Sequence, residues 1–321
     1  YGLVTYQTAY LKANYPEEYL AALLTSVSHT LEKAAVYLAE CRSMGITVEV
    51  PDINRSAANF TPGDKSIIFG LAAVRNVGEG LVDLIVTERE ARGPFGPREI
   101  DGRPIDAFDD FCLRVPYEVL NKRTIESIIK AGGFDTCGLP RKGLLLRMEE
   151  RIDHIVARRR EHDMGVMSLF GSGGDEPTID EHPVTDVEFD KAERLSHEKE
   201  MLGLYVSDHP LMGYEQVLAR RTDGPLSELT ELSDGTSRTI GGVVTNLQRK
   251  WTKKGDLMAI FQLEDLQSQI EVMVFPRTMT EHGHKLNDDM LVVVNGRVDQ
   301  RDDMPKFIAF EIDVFDGAEE A

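Results

Sequence analysis

This 321-residue chain is poor in several things, and each scarcity excludes something. It has three cysteines, Cys41, Cys112 and Cys137, odd in number and far apart. They make neither a disulfide framework nor a CxxC metal pair, and the expected state is buried, apolar thiols in a reducing cytoplasm. No apolar run approaches the ~18 residues of a membrane span, so no membrane partner is expected. The eight histidines include no HExxH or other metal-ligand spacing. No basic-plus-apolar signal segment opens the chain. It begins Tyr1-Gly2-Leu3-Val4, apolar and without Met, which reads as a piece of a longer protein.

Positive charge is also scarce. Lys and Arg number 36 against 55 Asp and Glu, a net charge of −19. Such an excess favours solubility and repels phosphate. The charge is unevenly spread, however. Residues 171–193 hold eight acids and one Lys, residues 141–160 hold seven basic residues and three acids, and residues 249–254 hold four basic residues and no acid. Local stripes therefore say more about partners than the total does.

The periodicity changes along the chain. Residues 1–60 read as helical, with Pro16 at a helix start, a third helix at about 30–44 that Thr30 can cap and Gly45 can close, and a short strand at 46–50. Residues 61–160 read as mostly helix with short turns, including an apolar stripe of Leu145, Met148, Ile152, Ile155 and Val156 opposite an Arg-rich face. Residues 171–186 are Gly, Pro and acid, a linker or loop. Helix returns near 190–202, and 203–235 carries turns, with 216–235 read as a linker. From 236 to 315 the period becomes that of strands. Five β-rich segments (239–244, 259–264, 270–275, 291–298 and 307–314) hold a short helix at 278–285 between the third and fourth, the order of an OB-fold. The fold class expected is multidomain α+β, helical domains followed by an all-β five-stranded barrel and a tail at 316–321.

Three segments carry candidate function. Residues 72–81, AAVRNVGEGL, place a Gly-x-Gly turn between two helices. Such a turn leaves backbone N–H groups at a helix mouth where phosphate can approach, so Val77, Gly78 and Gly80, with Arg75 beside them, are candidates for duplex DNA. An ordinary turn is the alternative. A basic helix at 122–130, with Lys122, Arg123 and Lys130, leads to Gly132-Gly133 and is a candidate second copy; a plain glycine helix stop is the rival there. In the barrel, the loop joining the first two strands, Arg249-Lys250-Trp251-Thr252-Lys253-Lys254-Gly255-Asp256, combines cations with the one Trp, on which a base can stack. Arg297 and Lys306 can continue a single-strand track from Arg249, Lys250, Trp251, Lys253 and Lys254. The rival reading is a solvated turn with Trp251 packed on its own sheet. Third, Met164-Gly165-Val166-Met167-Ser168-Leu169-Phe170 offers an apolar Leu-Phe pair suited to a partner's pocket, or to local packing.

No catalytic constellation stands out. Asp109-Asp110, Asp288-Asp289 and Asp302-Asp303 resemble metal pairs but read as solvated faces, and His197 and His209 read as structural.

Four stretches together resemble the α subunits of bacterial DNA polymerase III, the C-family of replicative polymerases: TYQTAYLKANYPEEYLAALLTSV (5–27), FGLAAVRNVGEG (69–80), LNKRTIESIIKAGGFD (120–135) and EKEMLGLYVSDHPL (198–211). The resemblance implies that 1–60 ends a fingers region and that 61–215 is a clamp-binding region whose tandem helix-hairpin-helix motif grips primer-template duplex. It further implies that 236–315 is an OB domain near single-stranded template. The family's clamp peptide begins with Gln and ends in Leu-Phe; here Leu169-Phe170 match and Val166 stands at the Gln, so Val166, Met167, Ser168, Leu169 and Phe170 are the implied sliding-clamp contacts. The family's catalysis uses palm carboxylates holding two Mg²⁺, and none of those palm motifs is in this sequence, so no catalytic residue, metal or cofactor is expected in this stretch. Other polymerase III holoenzyme subunits are implied partners. The alternative is an architectural module whose barrel contacts those subunits without touching DNA.

Overall fold

The computed structural model describes residues 2–28, 30–100, 103–163, 184–266, 268–300 and 305–315. It divides into two compact units, Tyr1–Ser207 and Asp208–Ala321.

The first unit opens with helices α1 (Gly2–Asn14), α2 (Pro16–Ser26) and α3 (Leu31–Ser43). Pro16 occupies the first turn of α2, where its missing N–H costs nothing. Thr30 sits at the N-cap of α3 without making the side-chain bond expected of it, and Gly45 takes φ 71° after the helix. The short strand expected at 46–50 is present as the first strand of a small sheet, whereas the expectation of mostly helix over 61–160 is corrected by the other strands of that sheet and by a second small sheet. Strands β1 (Thr47–Glu49), β2 (Thr61–Pro62) and β3 (Ser66–Ile68) form the first in the order β1-β3-β2, with β1 and β3 parallel. Strands β2 and β3 are two and three residues long, too short for an alternating pattern to show.

Helix α4 (Glu79–Arg92) follows, then the hairpin of β4 (Arg98–Ile100) and β5 (Arg103–Ile105), then α5 (Ala107–Arg114), α6 (Lys122–Lys130), α7 (Arg141–Asp163) and α8 (Lys191–Leu202). Side-chain caps start three of these: Asp106 accepts from Asp109 N, Asn121 from Arg123 N and Asp190 from Glu193 N. The core is aromatic at its centre, where Phe95, Phe108, Phe111 and Phe134 meet edge to face at 5.3–5.4 Å. Ile125, Ile128 and Ile129 of α6 pack there with Leu144, Met148, Ile152 and Ile155 of α7. Leu144 takes the fully buried place expected of Leu145, which is only partly covered.

A buried ionic hub ties this unit together. Arg141, 2% exposed, donates to Asp135, to Glu198 and to the Lys130 carbonyl. Glu198 is fully buried and also accepts from the Ser207 backbone and hydroxyl. Of the segment read as a linker, 171–183 lies outside the described residues, but its end is packed: Gly143 N donates to Val187 O, and a Cβ at Gly143 would come within 2.1 Å of Thr185 O.

The second unit is a barrel with its own lead-in. Residues 216–235 are not a linker. They contribute α9 (Glu215–Arg221), whose Leu218 lies on Gly241, and a turn from which Leu226 and Leu229 enter the barrel core. Apolar residues at that spacing have a core to fill. Strands β6 (Ser237–Trp251), β7 (Leu257–Glu264) and β8 (Gln269–Val274), helix α10 (Pro276–His282), and strands β9 (Leu291–Asp299) and β10 (Lys306–Val314) close a five-stranded barrel in the order β10-β8-β7-β6-β9. Burial alternates along β7 and β8, and Phe261, Leu263, Val272, Val274, Val292, Val294 and Phe307 fill the interior. The molecule is thus α+β and multidomain, with the OB order of elements.

Candidate nucleic-acid interface

The Gly-x-Gly turn joins a short helical turn, Leu71–Ala73, to α4. Val74 and Val77 are buried and hold the turn down, while Arg75, Gly78 and Gly80 are exposed. Gly78 is the extended N-cap residue at φ −93°, so neither it nor Gly80 needs glycine for a left-handed backbone. A Cβ at either position would meet nothing within 4 Å inside the protein. The glycines leave open space at the start of α4, where the Glu79 and Gly80 N–H groups have no preceding helical carbonyl to bond, Leu81 N already donating to Gly78 O. That is the geometry of an anion cradle.

The turn is clasped from behind. Asn76 adopts φ 65°, donates through Nδ2 to Ser127 Oγ at 3.0 Å, and accepts at its carbonyl from Thr124 Oγ1 at 3.0 Å. Arg75 N donates to Met201 O at 2.9 Å. The turn is therefore fixed to α6 and α8. Arg123, next to Thr124, is exposed, as is Arg75 next to Asn76. Neither guanidinium has a protein partner among the described residues.

The second glycine turn differs. Gly132 is buried at φ 93°, its N–H donates to Ile129 O, and a Cβ there would come within 2.4 Å of Arg141 Nη2. It closes α6 internally and does not face phosphate. Lys122 pairs with Asp153 at 2.7 Å, and Lys130 pairs with Glu126 at 2.8 Å. Of the four residues expected here, Arg123 alone is both exposed and without an ion pair among the described residues.

In the barrel, the expected basic loop is mostly a ribbon. A bulge between Thr245 and Gln248, with Asn246 at φ 54°, lets β6 run on through Arg249, Lys250 and Trp251, which pair with Ala259, Met258 and Leu257. Only Thr252–Asp256 turns, with Gly255 at φ 84°. Trp251 is 74% exposed and so does not pack on its own sheet. Lys250, Lys253 and Lys254 are exposed and unpaired among the described residues, whereas Arg249 donates to Leu286 O at 2.7 Å.

The register reveals a surface that the sequence pattern alone did not mark. Residues directly opposite share a face. Gln248, Ile260, Met273, Ile308 and Arg297 therefore form one row across four neighbouring strands and onto a fifth. Lys250 and Met258 form the adjacent row, and Glu271 with Lys306 the row on the other side. In the closed barrel these rows run round the outside, so Arg297 and Lys306 point outward as Lys250 does but on other strands, with Lys306 3.5 Å from Glu271. The signal available was Met258, Ile260 and Met273, apolar at the outward positions of β7 and β8.

The Asp109-Asp110 pair is not the solvated face expected of it. Both residues are 1% exposed. Asp109 pairs with Arg151 at 2.7 Å, and Asp110 with Arg98 and Arg114 at 2.8 and 3.2 Å. Asp288 accepts from Leu247 N, and Asp302-Asp303 lies outside the described residues. Among the described residues no group of three His, Cys, Asp or Glu could hold a metal. Burial pushes the Asp109 carboxyl up to about 6 from 3.8, against the pull of Arg151. A raised carboxyl pKa means the folded state holds the proton more tightly, so this group's stabilising contribution is lost as pH rises from 3.8 to about 6. Denaturation of Asp109→Asn beside the parent across that range should show the variant gaining relative stability with pH; parallel curves would refute this. His197 packs its ring on Phe189 at 4.5 Å, and His209 Nδ1 accepts from Leu211 N, both structural arrangements.

Two family models match this geometry: the helix-hairpin-helix motif over residues 45–144 and the OB-fold nucleic acid binding domain over residues 239–315. The DNA polymerase III subunit alpha of Mycobacterium tuberculosis is 41% identical over 323 residues, covering 98% of this chain and 26% of that protein. This chain belongs to the DNA polymerase III α-subunit family. The corresponding subunit of Pseudomonas aeruginosa is 37% identical over 94% of this chain and 26% of its own length. That of Thermus aquaticus is 36% identical over 95% of this chain and 24% of its own length. The chain spans about a quarter of the length of the curated relatives it matches. No helix among its described residues is long and apolar enough to cross a membrane.

Proposed function

We propose that this polymerase III α-subunit region holds DNA on two surfaces and docks a sliding clamp during replication. The Gly78–Gly80 turn, Arg75 and Arg123 bind duplex backbone without reading sequence. The observation that carries this is the open space before Gly78 and Gly80, in a turn whose backbone does not itself require glycine. The ribbon of Lys250, Trp251, Lys253 and Lys254, with the outward Met258, Ile260 and Met273 of the neighbouring strands, guides single strand. Cations there meet phosphate, and the exposed indole and the outward apolar side chains meet bases. Lys122, Lys130, Arg249 and Lys306, held by internal bonds, contribute field more than direct contact.

Val166–Phe170, outside the described residues, is the clamp peptide on the strength of Leu169-Phe170; Phe170→Ala should abolish retention on immobilised clamp. Nucleotidyl transfer, with its Mg²⁺, belongs to the whole polymerase. This region alone should leave a primed template unextended.

The direct test is Trp251→Ala against labelled oligo-dT. Because the indole is 74% exposed, stability should not move. Loss of one base stack should weaken binding by ~1–3 kcal/mol, roughly 5- to 150-fold. Unchanged oligo-dT affinity would remove the ribbon from the single-strand path and favour a purely architectural role.

A further inference from the structure

The barrel unit carries a recessed surface that none of the ribbon's cations lines. Between α9 and the start of β6 lies a groove of about 340 Å³. Its floor and walls are Leu211, Leu218, Ala219, Pro225 and Leu266, with Gly241 at the base. The groove is built into the fold: a Cβ at Gly241 would come within 2.5 Å of Leu218 Cδ1, so α9 is seated directly on the strand. Nothing in the proposed DNA path uses it.

Its rim is acidic. Glu215, Asp223 and Asp265 line it, and no Lys or Arg does. Each acid is oriented by a backbone N–H: Glu215 accepts from Gly213, Asp223 from Thr239, and Asp265 from Leu226 and Ser268. These bonds fix the carboxylates in place. Asp223 and Glu215 have no cationic partner among the described residues. An apolar floor inside a fixed negative rim disfavours a phosphate backbone and complements an apolar side chain flanked by positive charge.

We propose that this groove docks a peptide segment of a partner protein, with one or two aliphatic anchors between Lys or Arg residues. The anchors fill the groove between Ala219, Pro225 and Leu266, and the flanking cations meet Glu215 and Asp223. The barrel then presents nucleic acid and protein surfaces of opposite charge, and the two bind independently.

The experiment uses the full chain and two fluorescein-labelled ten-residue peptides with a common Leu-Leu centre, one flanked by Lys and one by Glu. The Lys-flanked peptide should bind, and the Glu-flanked peptide roughly tenfold or more weakly. Ala219→Arg, at an exposed position, fills the groove and opposes the rim charge; it should abolish peptide binding. Glu215→Gln keeps the bond to Gly213 and should weaken binding several-fold. Oligo-dT affinity, measured on the same samples, should be unchanged in both variants, so failure here is separable from failure of the DNA reading. Absence of Lys-flanked binding, equal binding of both peptides, survival of binding in Ala219→Arg, or displacement of the peptide by oligo-dT would each overturn the proposal.

Discussion

Replacing Arg75 and Arg123 together by Ala should weaken duplex binding by roughly 30-fold at low salt, about 1 kcal/mol for each exposed arginine on a phosphate. The slope of log K against log salt should become shallower by about 2, at ~0.9 for each B-DNA phosphate no longer neutralised. Folding should be unaffected, since both guanidinium groups are exposed and unpaired among the described residues. The glycines give a sharper companion test. Gly80 lies in the first turn of α4, and its missing Cβ would project into open space. Gly80→Ala should therefore stabilise the helix by about 0.5–1 kcal/mol while weakening duplex binding, because the methyl group occupies the space a phosphate needs. Thermal denaturation and duplex titration of one variant would move in opposite directions. A glycine retained only for folding would make both worse.

The second large effect is on stability. Arg141→Ala should destabilise the first unit by about 3–5 kcal/mol, because it leaves Glu198, fully buried, without its cation. Arg141→Ala with Glu198→Gln should recover a substantial part of that loss, since the neutral amide can still accept from Ser207. Urea denaturation of the single and double variants measures this coupling. A single-variant cost below ~1 kcal/mol would mean the hub is solvated in the folded state. The hub also accounts for a conspicuous stretch of sequence. EKEMLGLYVSDHPL contributes Glu198, Met201, whose carbonyl anchors Arg75 N, and Ser207. Its Met201 positions the Gly78–Gly80 turn from behind.

How much of this was legible depended on whether a residue's role was local. The barrel was readable because β7 and β8 alternate and a helix follows the third strand. Pro16 and Gly45 announced helix ends through their own backbone chemistry. The Val77–Gly80 turn was visible as Gly-x-Gly between helices. What could not be read was which partner each cation would find. Lys122 and Lys130 look like Arg123 in sequence, yet Asp153, Glu126 and Glu200 hold them, and two of these acids come from other helices. Gly132 looks like Gly78, yet Arg141 fills the space beside it. The pair Asp109-Asp110 read as solvated because adjacent acids usually are; their Arg partners lie 42, 12 and 4 residues away. The outward apolar row of the barrel needed the register, since Ile260 and Met273 are paired neighbours only through the alignment of β7 with β8.

The −19 net charge, which at first stands against DNA, is compatible with it because cations without a partner among the described residues sit at the turn and the ribbon. The most direct test of that claim is fluorescence anisotropy of this chain with primer-template duplex and with oligo-dT across a salt series. Binding of both, with log K falling linearly against log salt and the duplex slope alone reduced in the Arg75→Ala, Arg123→Ala variant, is the predicted result. Binding that ignores salt, or no binding of either oligonucleotide at low salt, would contradict the assignment of these surfaces to DNA.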